Sequence, residues 1–449
     1  MTSKLLISIL VGGVILTGCG GSSSNKTITN TNTTNSTSKD TNTKQPTVSP
    51  SVDNSTILKR GKVSDGYIAK ANVLIDINRN HKGLFEQGDY LTSTDINGQI
   101  ILQNITVPKN TFIYAKGGTI ISTGEKFKGT LKGIFTGDST NINITPLTTM
   151  VTALVEKNPQ SVQTEDIQKA KEKIATVLNI PLKNIEADPV INKEAFKAVQ
   201  KVVTIAKVLQ TTNKKDSISD IIEKIAINVE DNNISQAITK VAGNETIAQI
   251  AIETAKYTEE TIQTLLEKDD IQDTSVIENI TQSLLVSKVL RTINDKTDIE
   301  TVTKVLEEAE NTITSNDTLA LVKAMECLNF DIIKGENSSA SAVTKPLNLS
   351  NKIQCEQNGS ISIEWIKAEP NNIDLKTGDI LPAKNPITVK LDANISSSSA
   401  WLIKPIFFTI APKTETETQN TQTESDFSAN SVIETNCTIF NPLNGQCED

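Results

Sequence analysis

At about Ile144 the apolar residues of this chain change period, from two to about 3.6, and no single class of secondary structure accommodates both halves. Before that point the apolar residues come in short β-branched or aromatic runs, at Val63, Ile68, Val73-Leu74-Ile75, Ile100-Ile101-Leu102, Phe112-Ile113-Tyr114 and Ile120-Ile121. Turn residues such as Asn97-Gly98 separate them, which predicts short strands. After it, I-T-P-L-T-T-M-V-T-A-L-V (Ile144 to Val155) opens a series of helical stripes. One runs through Ile167, Ala170, Ile174, Val177 and Leu178, and another through Phe196, Val199, Val202, Val203, Ala206 and Leu209. Further stripes follow at Ile218, Ile221, Ile222 and Ile225, at Ile280, Leu284 and Leu285, and at Val302, Val305, Leu306 and Ala309. Strand character returns at 360–367, 387–391 and 401–410.

The predicted fold class is therefore multidomain α+β: an N-terminal β-sandwich over 57–145, a helical bundle or array over 146–328, and a small disulfide-bonded β-domain over 329–449. Breaks at Pro181, Asp188-Pro189, Asn232-Asn233 and Asp269-Asp270 divide the helical part, and Thr164 ahead of Glu165-Asp166 reads as a cap. No sustained heptad or fixed repeat marks a coiled coil or solenoid. A Thr/Glu/Gln-rich stretch at about 413–431 reads as a disordered loop. Only 4% of the chain is aromatic, which predicts cores of Ile, Val, Leu and Ala.

The first residues say where such a chain goes. Lys4 precedes an apolar run from Leu5 to Leu16, shorter than the roughly 20 residues of a spanning helix and typical of a cleaved secretory signal. It ends in Leu16-Thr17-Gly18-Cys19, which resembles a bacterial lipobox. That resemblance implies removal of residues 1–18, lipidation of Cys19 (palmitate among the acyl chains) and a membrane anchor, the outer membrane more than the inner because Gly20 replaces the Asp of inner-membrane retention. Several acyl chains hold a protein almost permanently, since each buried methylene contributes about 0.8 kcal/mol. Residues 19–56 are Ser, Thr and Asn with little that is apolar, a tether reaching about 30 to 36 Å.

V-S-D-G-Y-I-A-K-A-N-V-L-I-D-I-N-R-N (Val63 to Asn80), E-Q-G-D (Glu86 to Asp89) and T-D-I-N-G-Q-I-I-L (Thr94 to Leu102) resemble the prealbumin-like modules of bacterial surface proteins, the carboxypeptidase-regulatory-like, Cna-B and SdrD-B types. The likeness covers about a fifth of the chain and implies a display, spacer or binding unit without catalytic residues. The T-P-L-T-T segment after it is similar to the linker and first helix of a group of exported bacterial proteins, which implies that strands and helices form one architectural unit. Asp76, Asn78 and Asn80 set oxygens at alternate positions, as the first half of a calcium loop does, and Glu86 and Asp89 complete a candidate Ca2+ shell. His81 stands where that loop wants glycine and Gln87 where it wants a bidentate Glu, so an Asx-rich turn without an ion is the competing reading.

Cys327, Cys355, Cys437 and Cys447 form an even set in the last third of an exported chain, which predicts two disulfides. Of three pairings, Cys327 to Cys355 with Cys437 to Cys447 closes the shortest loops. Zinc would need a C-x-x-C pair or more than the single histidine. The formal net charge of −9, or −10 after loss of the one lysine in the signal, and the lack of any basic cluster argue against nucleic acid as a partner. A Ser/His/Asp or Cys/His site would have to use His81, and no G-x-S-x-G motif or phosphate-binding glycine loop is present. The expectation is a non-catalytic display, adhesion or interaction module with an unknown protein or glycan partner. Two alternatives stand beside it: an envelope hydrolase or carbohydrate-binding accessory, for which paired carboxylates need no histidine and Trp365 and Trp401 offer a stacking surface, and a scaffold subunit of an envelope complex.

Overall fold

The computed structural model describes residues 55–80, 83–157, 162–268, 271, 273–294, 296–326, 328, 332–334, 347–348, 361–371, 374–375, 379–380, 387–397, 401–411, 439–441 and 446–448. The chain is mixed α+β, and Asp53–Asp449 forms one compact unit. Ten strands come first: β1 (Ser55–Leu58), β2 (Arg60–Val63), β3 (Ile68–Ala69), β4 (Asn72–Ile75), β5 (Tyr90–Ser93), β6 (Ile105–Pro108), β7 (Thr111–Lys116), β8 (Thr119–Ile120), β9 (Thr130–Phe135) and β10 (Asn141–Ile144). An antiparallel sheet in the order β5-β4-β7-β9 is joined by the short pairs β1-β6, β2-β10 and β3-β8. Val73, Ile75, Ile113, Ala115, Leu131 and Phe135 on one face of that sheet share a core with Leu58, Val63, Ile68, Ile100 and Val107.

The other face of the sheet is buried too. Leu74, Phe112, Tyr114 and Ile134 belong to the larger core that the helices build. This explains why β7 is buried from Thr111 through Ala115 with no polar alternation, the pattern of a strand covered on both sides. The cover is α1 (Pro146–Glu156), and T-P-L-T-T is how it is attached. Thr145 caps the helix and exchanges hydrogen bonds with Thr148, Pro146 fills the first turn, Thr148 Oγ1 donates to the Lys132 carbonyl at 2.8 Å, and Thr149 Oγ1 accepts from the Lys132 N–H at 2.9 Å. The Lys132 side chain then pairs with Glu156 at 2.7 Å and with Glu223 at 3.0 Å.

The helices continue as α2 (Thr164–Leu178), α3 (Lys193–Gln210), α4 (Ile218–Ile227), α5 (Ile234–Ala242), α6 (Glu245–Leu266), α7 (Thr274–Ile280), α8 (Ser287–Thr292), α9 (Ile299–Ile313) and α10 (Asn316–Glu326), with a π-helical stretch, Thr281–Val286, joining α7 to α8. Asn192, Ser217, Asn233 and Asn244 cap α3, α4, α5 and α6 through their side chains. At α2 the cap position falls on Gln163, which makes no side-chain cap bond, and Thr164 is the first helical residue. Buried threonines in α6 are tolerated because Thr254 and Thr258 donate to the carbonyls four residues back, at 2.7 and 2.8 Å. Among the described residues the buried aromatics of this core are Phe112, Tyr114, Phe196 and Phe408.

Strands then return as β11 (Ile332–Lys334), β12 (Leu347–Asn348), β13 (Ser362–Glu369), β14 (Asp379–Ile380), β15 (Ile387–Ser396), β16 (Trp401–Ala411), β17 (Ile439–Asn441) and β18 (Gln446–Glu448). The order β11-β16-β15-β13 makes a second four-stranded sheet, with β11 parallel to β16. Val389, Leu391, Ala393, Ile395, Leu402, Ile406 and Phe408 pack it into the helical core. The changes of secondary structure near 145 and 328 are thus internal to one packed body. Asn279 Nδ2 marks the meeting point, donating to the Ser122 carbonyl at 2.6 Å and the Ile403 carbonyl at 3.0 Å. Asp188, at a predicted helix break, adds a second link by accepting from Tyr67 Oη at 2.7 Å and pairing with Lys62 at 3.2 Å.

Candidate functional site

The five predicted residues of the Asp76 loop fall into two hydrogen-bonded sets, Asp76 with Asn80 and Asp89 with Asn78 and Glu86. The Asp76 N–H donates to the Phe112 carbonyl at 3.0 Å, which ties the loop to β7. Asp76 Oδ1 accepts from the Asn80 N–H at 3.1 Å, across Arg79 in the left-handed region at φ 54°. Asp89 accepts from the Asn78 N–H through Oδ1 at 3.1 Å and from the Glu86 N–H through Oδ2 at 2.9 Å, and Asn78 Nδ2 donates to the Gln87 carbonyl at 2.7 Å. The carboxylates of Asp76 and Asp89 thus accept from backbone N–H groups three to eleven residues away and brace the loop. Among the described residues no group of three or more His, Cys, Asp and Glu is gathered closely enough to hold a metal. His81 lies outside the described residues, as do Cys19, Cys327, Cys355 and Cys437, and Cys447 lies in β18 opposite Phe440.

Trp365 and Trp401 do not share a surface. Trp365 pairs with Ala393 on the core side of β15, whereas Trp401 pairs with Ser396, three residues on and so on the opposite face, where it is exposed.

A buried polar cluster lies at a place the sequence reading did not single out. It lies where the β2–β3 turn, the loop after β8, α3 and α7 meet. Asp65 and Glu278 are each 2% exposed there, with Ser122 beside Gly66. Gly66 makes the approach possible: it has φ +73°, and a Cβ on it would lie 2.0 Å from Glu278 Oε2 and 2.3 Å from Ser122 Oγ. The Ile121 N–H donates to the Tyr67 carbonyl at 2.9 Å and holds the loop against the turn. Gln282, on the π-helical stretch, donates to Gln200 Oε1 at 2.9 Å and accepts from Lys207 Nζ at 2.8 Å, while Lys207 also reaches Glu125 at 3.4 Å.

Burial raises both carboxylic acids above their usual range. Glu278 is pushed up to about 8 by burial and then by the Asp65 charge, against the pull of Ser122, Lys207 and Gln200. Asp65 is pushed up to about 6 by burial, which Lys207 offsets in part. Asp65 Oδ1, Glu278 Oε2 and Ser122 Oγ are buried without a hydrogen-bond partner. Asp65 also lines a cavity of about 310 Å³, together with Glu125, Lys126, Lys128, Lys207 and Gln282, which Glu278 does not line. Chemically, such a pair can hold a proton or a cation between its oxygens.

One signal in the sequence marks Glu278. It is the sole charged residue in V-I-E-N-I-T-Q-S-L-L-V (Val276 to Val286), a stretch too apolar for a solvated face. Asp65 carries no such mark, because Asp-Gly reads as an ordinary turn. Among the described residues no helix is long and apolar enough to cross a membrane. Comparison of the chain with protein-family models, with curated proteins and with solved structures found no match in any of the three.

Proposed function

We propose that this protein is a lipid-anchored lipoprotein of the bacterial envelope, held at the outer membrane by Cys19, whose folded body serves as a non-catalytic display, adhesion or protein-interaction module. The observation that carries the reading is Leu16-Thr17-Gly18-Cys19 followed by a Ser/Thr/Asn-rich stretch that ends where β1 begins. A body with one shared core on a long polar tether suits presentation at a distance from the lipid. In this reading the strands over 57–145 are a prealbumin-like β-sandwich, the helices a bundle, and the last segment a domain stapled by Cys327, Cys355, Cys437 and Cys447. The partner is a protein or glycan rather than a nucleic acid. In detergent phase separation, wild-type protein should enter the detergent phase with an acylated N-terminus by mass spectrometry, and Cys19→Ala should not. Aqueous partition of the wild type with an unmodified N-terminus sinks the proposal.

The hydrolase alternative has one observation in its favour, the two buried acids with raised pKa values. A catalytic pair must both touch the substrate, and Glu278 does not line the cavity that Asp65 faces. The display reading therefore accounts better for the site as built.

A further inference from the structure

We propose that the Asp65–Glu278–Ser122 cluster is a structural Ca2+ site, separate from the Asp76 loop, that ties the β2–β3 turn to helix α7. Glu278 Oε2 and Ser122 Oγ meet beside Gly66, the residue after Asp65, and Asp65 Oδ1, Glu278 Oε2 and Ser122 Oγ are each buried without a hydrogen-bond partner. Two carboxylates and a hydroxyl form an all-oxygen donor set, which suits a hard cation and not zinc or copper. Lys207 offsets the two acids only in part, and its Nζ bonds to Gln282 and Glu125.

Ca2+ fits better than Mg2+. Donors from a turn, a loop and a helix are irregularly placed, which the flexible coordination of Ca2+ tolerates and the near-octahedral demand of Mg2+ does not. Gly66 belongs to the same construction, since any side chain there would occupy the space beside Glu278 Oε2 and Ser122 Oγ. The inference does not depend on lipidation or on the display reading.

The test is calorimetric titration of Ca2+ alone into the mature full-length protein in detergent, as wild type, Asp76→Ala, Asp76→Ala/Glu278→Gln and Asp76→Ala/Asp65→Asn. Asp76→Ala silences the loop, so the Ca2+ it still binds, one ion per chain, reports the buried site. Either second substitution should weaken that binding at least tenfold and remove the accompanying rise in melting point, about 2 °C at ten times Kd. Glu278→Gln should itself melt no lower than its parent in EGTA, because it removes a buried charge; if it fails to fold by circular dichroism, Asp65→Asn decides. Loss of all Ca2+ binding in Asp76→Ala overturns the proposal. So does binding that survives undiminished in both double variants.

Discussion

Lys132 ties strand β9 to two helices, α1 and α4. Its backbone holds α1 through Thr148 and Thr149, and its ammonium lies between Glu156 and Glu223, 5.9 Å from the centre of the Tyr114 ring. Burial pulls the Lys132 pKa down, but the two carboxylates outweigh it and hold it above the usual lysine range. A cation raised in the folded state contributes its full stability below its ordinary pKa of 10.5 and loses it only as pH climbs past that, so neutral pH reads the whole effect. Lys132→Met should cost about 2 kcal/mol by urea unfolding at pH 7, less than the 3 to 5 of a fully buried pair because all three groups keep some solvent. Adding Glu223→Gln should recover part of that loss; no recovery would mean the aliphatic stem and not the charge is what matters. The Asp76 loop gives the second prediction at this scale. If it holds Ca2+, the melting point rises in millimolar calcium and Asp76→Ala abolishes the loop's share of the rise, whereas an Asx turn alone leaves that share at zero. The polar residues of this loop were legible because they are close in sequence. Asp65 and Glu278 were not, since more than 200 positions separate them and only the packed body brings them together.

Helices were easier to read than strands for a physical reason. Each helix carries its own stripe, breaks and caps, and Phe196, Val199, Val202, Val203, Ala206 and Leu209 are all buried as the stripe requires. Strand pairing is non-local, and β9 was missed because Thr130-Leu131-Lys132-Gly133 mixes polar, apolar and glycine residues, its lysine being satisfied only by α1 and α4. Ile100-Ile101-Leu102, read as a strand, forms only an isolated bridge from Ile100 to Thr94. The T-P-L-T-T segment shows how a helix start can also serve as a docking element. Thr149→Val keeps the shape and removes the acceptor for the Lys132 N–H, leaving a buried donor unpaired. It should cost about 1 to 3 kcal/mol in chemical denaturation, with far-ultraviolet circular dichroism unchanged. Thr145→Ala, which removes the cap, should cost about 1 kcal/mol. A cost near zero for both would mean that α1 is held by its apolar face alone.

At the scale of the whole molecule, the change of period at Ile144 located a boundary of secondary structure, and the packing crosses it. Composition cannot reveal this, because a sheet face buried against helices and one buried against a second sheet use the same apolar residues. The consequence is that residues 53–145 should not behave as a free-standing module. Cutting after Thr145 would uncover Leu74, Phe112, Tyr114 and Ile134 on the outer face of the main sheet. At roughly 1.5 to 3 kcal/mol for each large apolar side chain, that burial amounts to about 6 to 12 kcal/mol, as much as the entire stability of a typical domain. The excised segment should therefore aggregate or bind a hydrophobic dye, while residues 53–449 melt cooperatively. Replacing Leu74 and Ile134 with Thr in the segment should restore solubility, because threonine keeps the strand propensity and gives the bared face a polar surface. A wild-type 53–145 segment that is monomeric and melts cooperatively would show that the strands fold without their helical cover, and the shared core would then be a contact between independently stable parts.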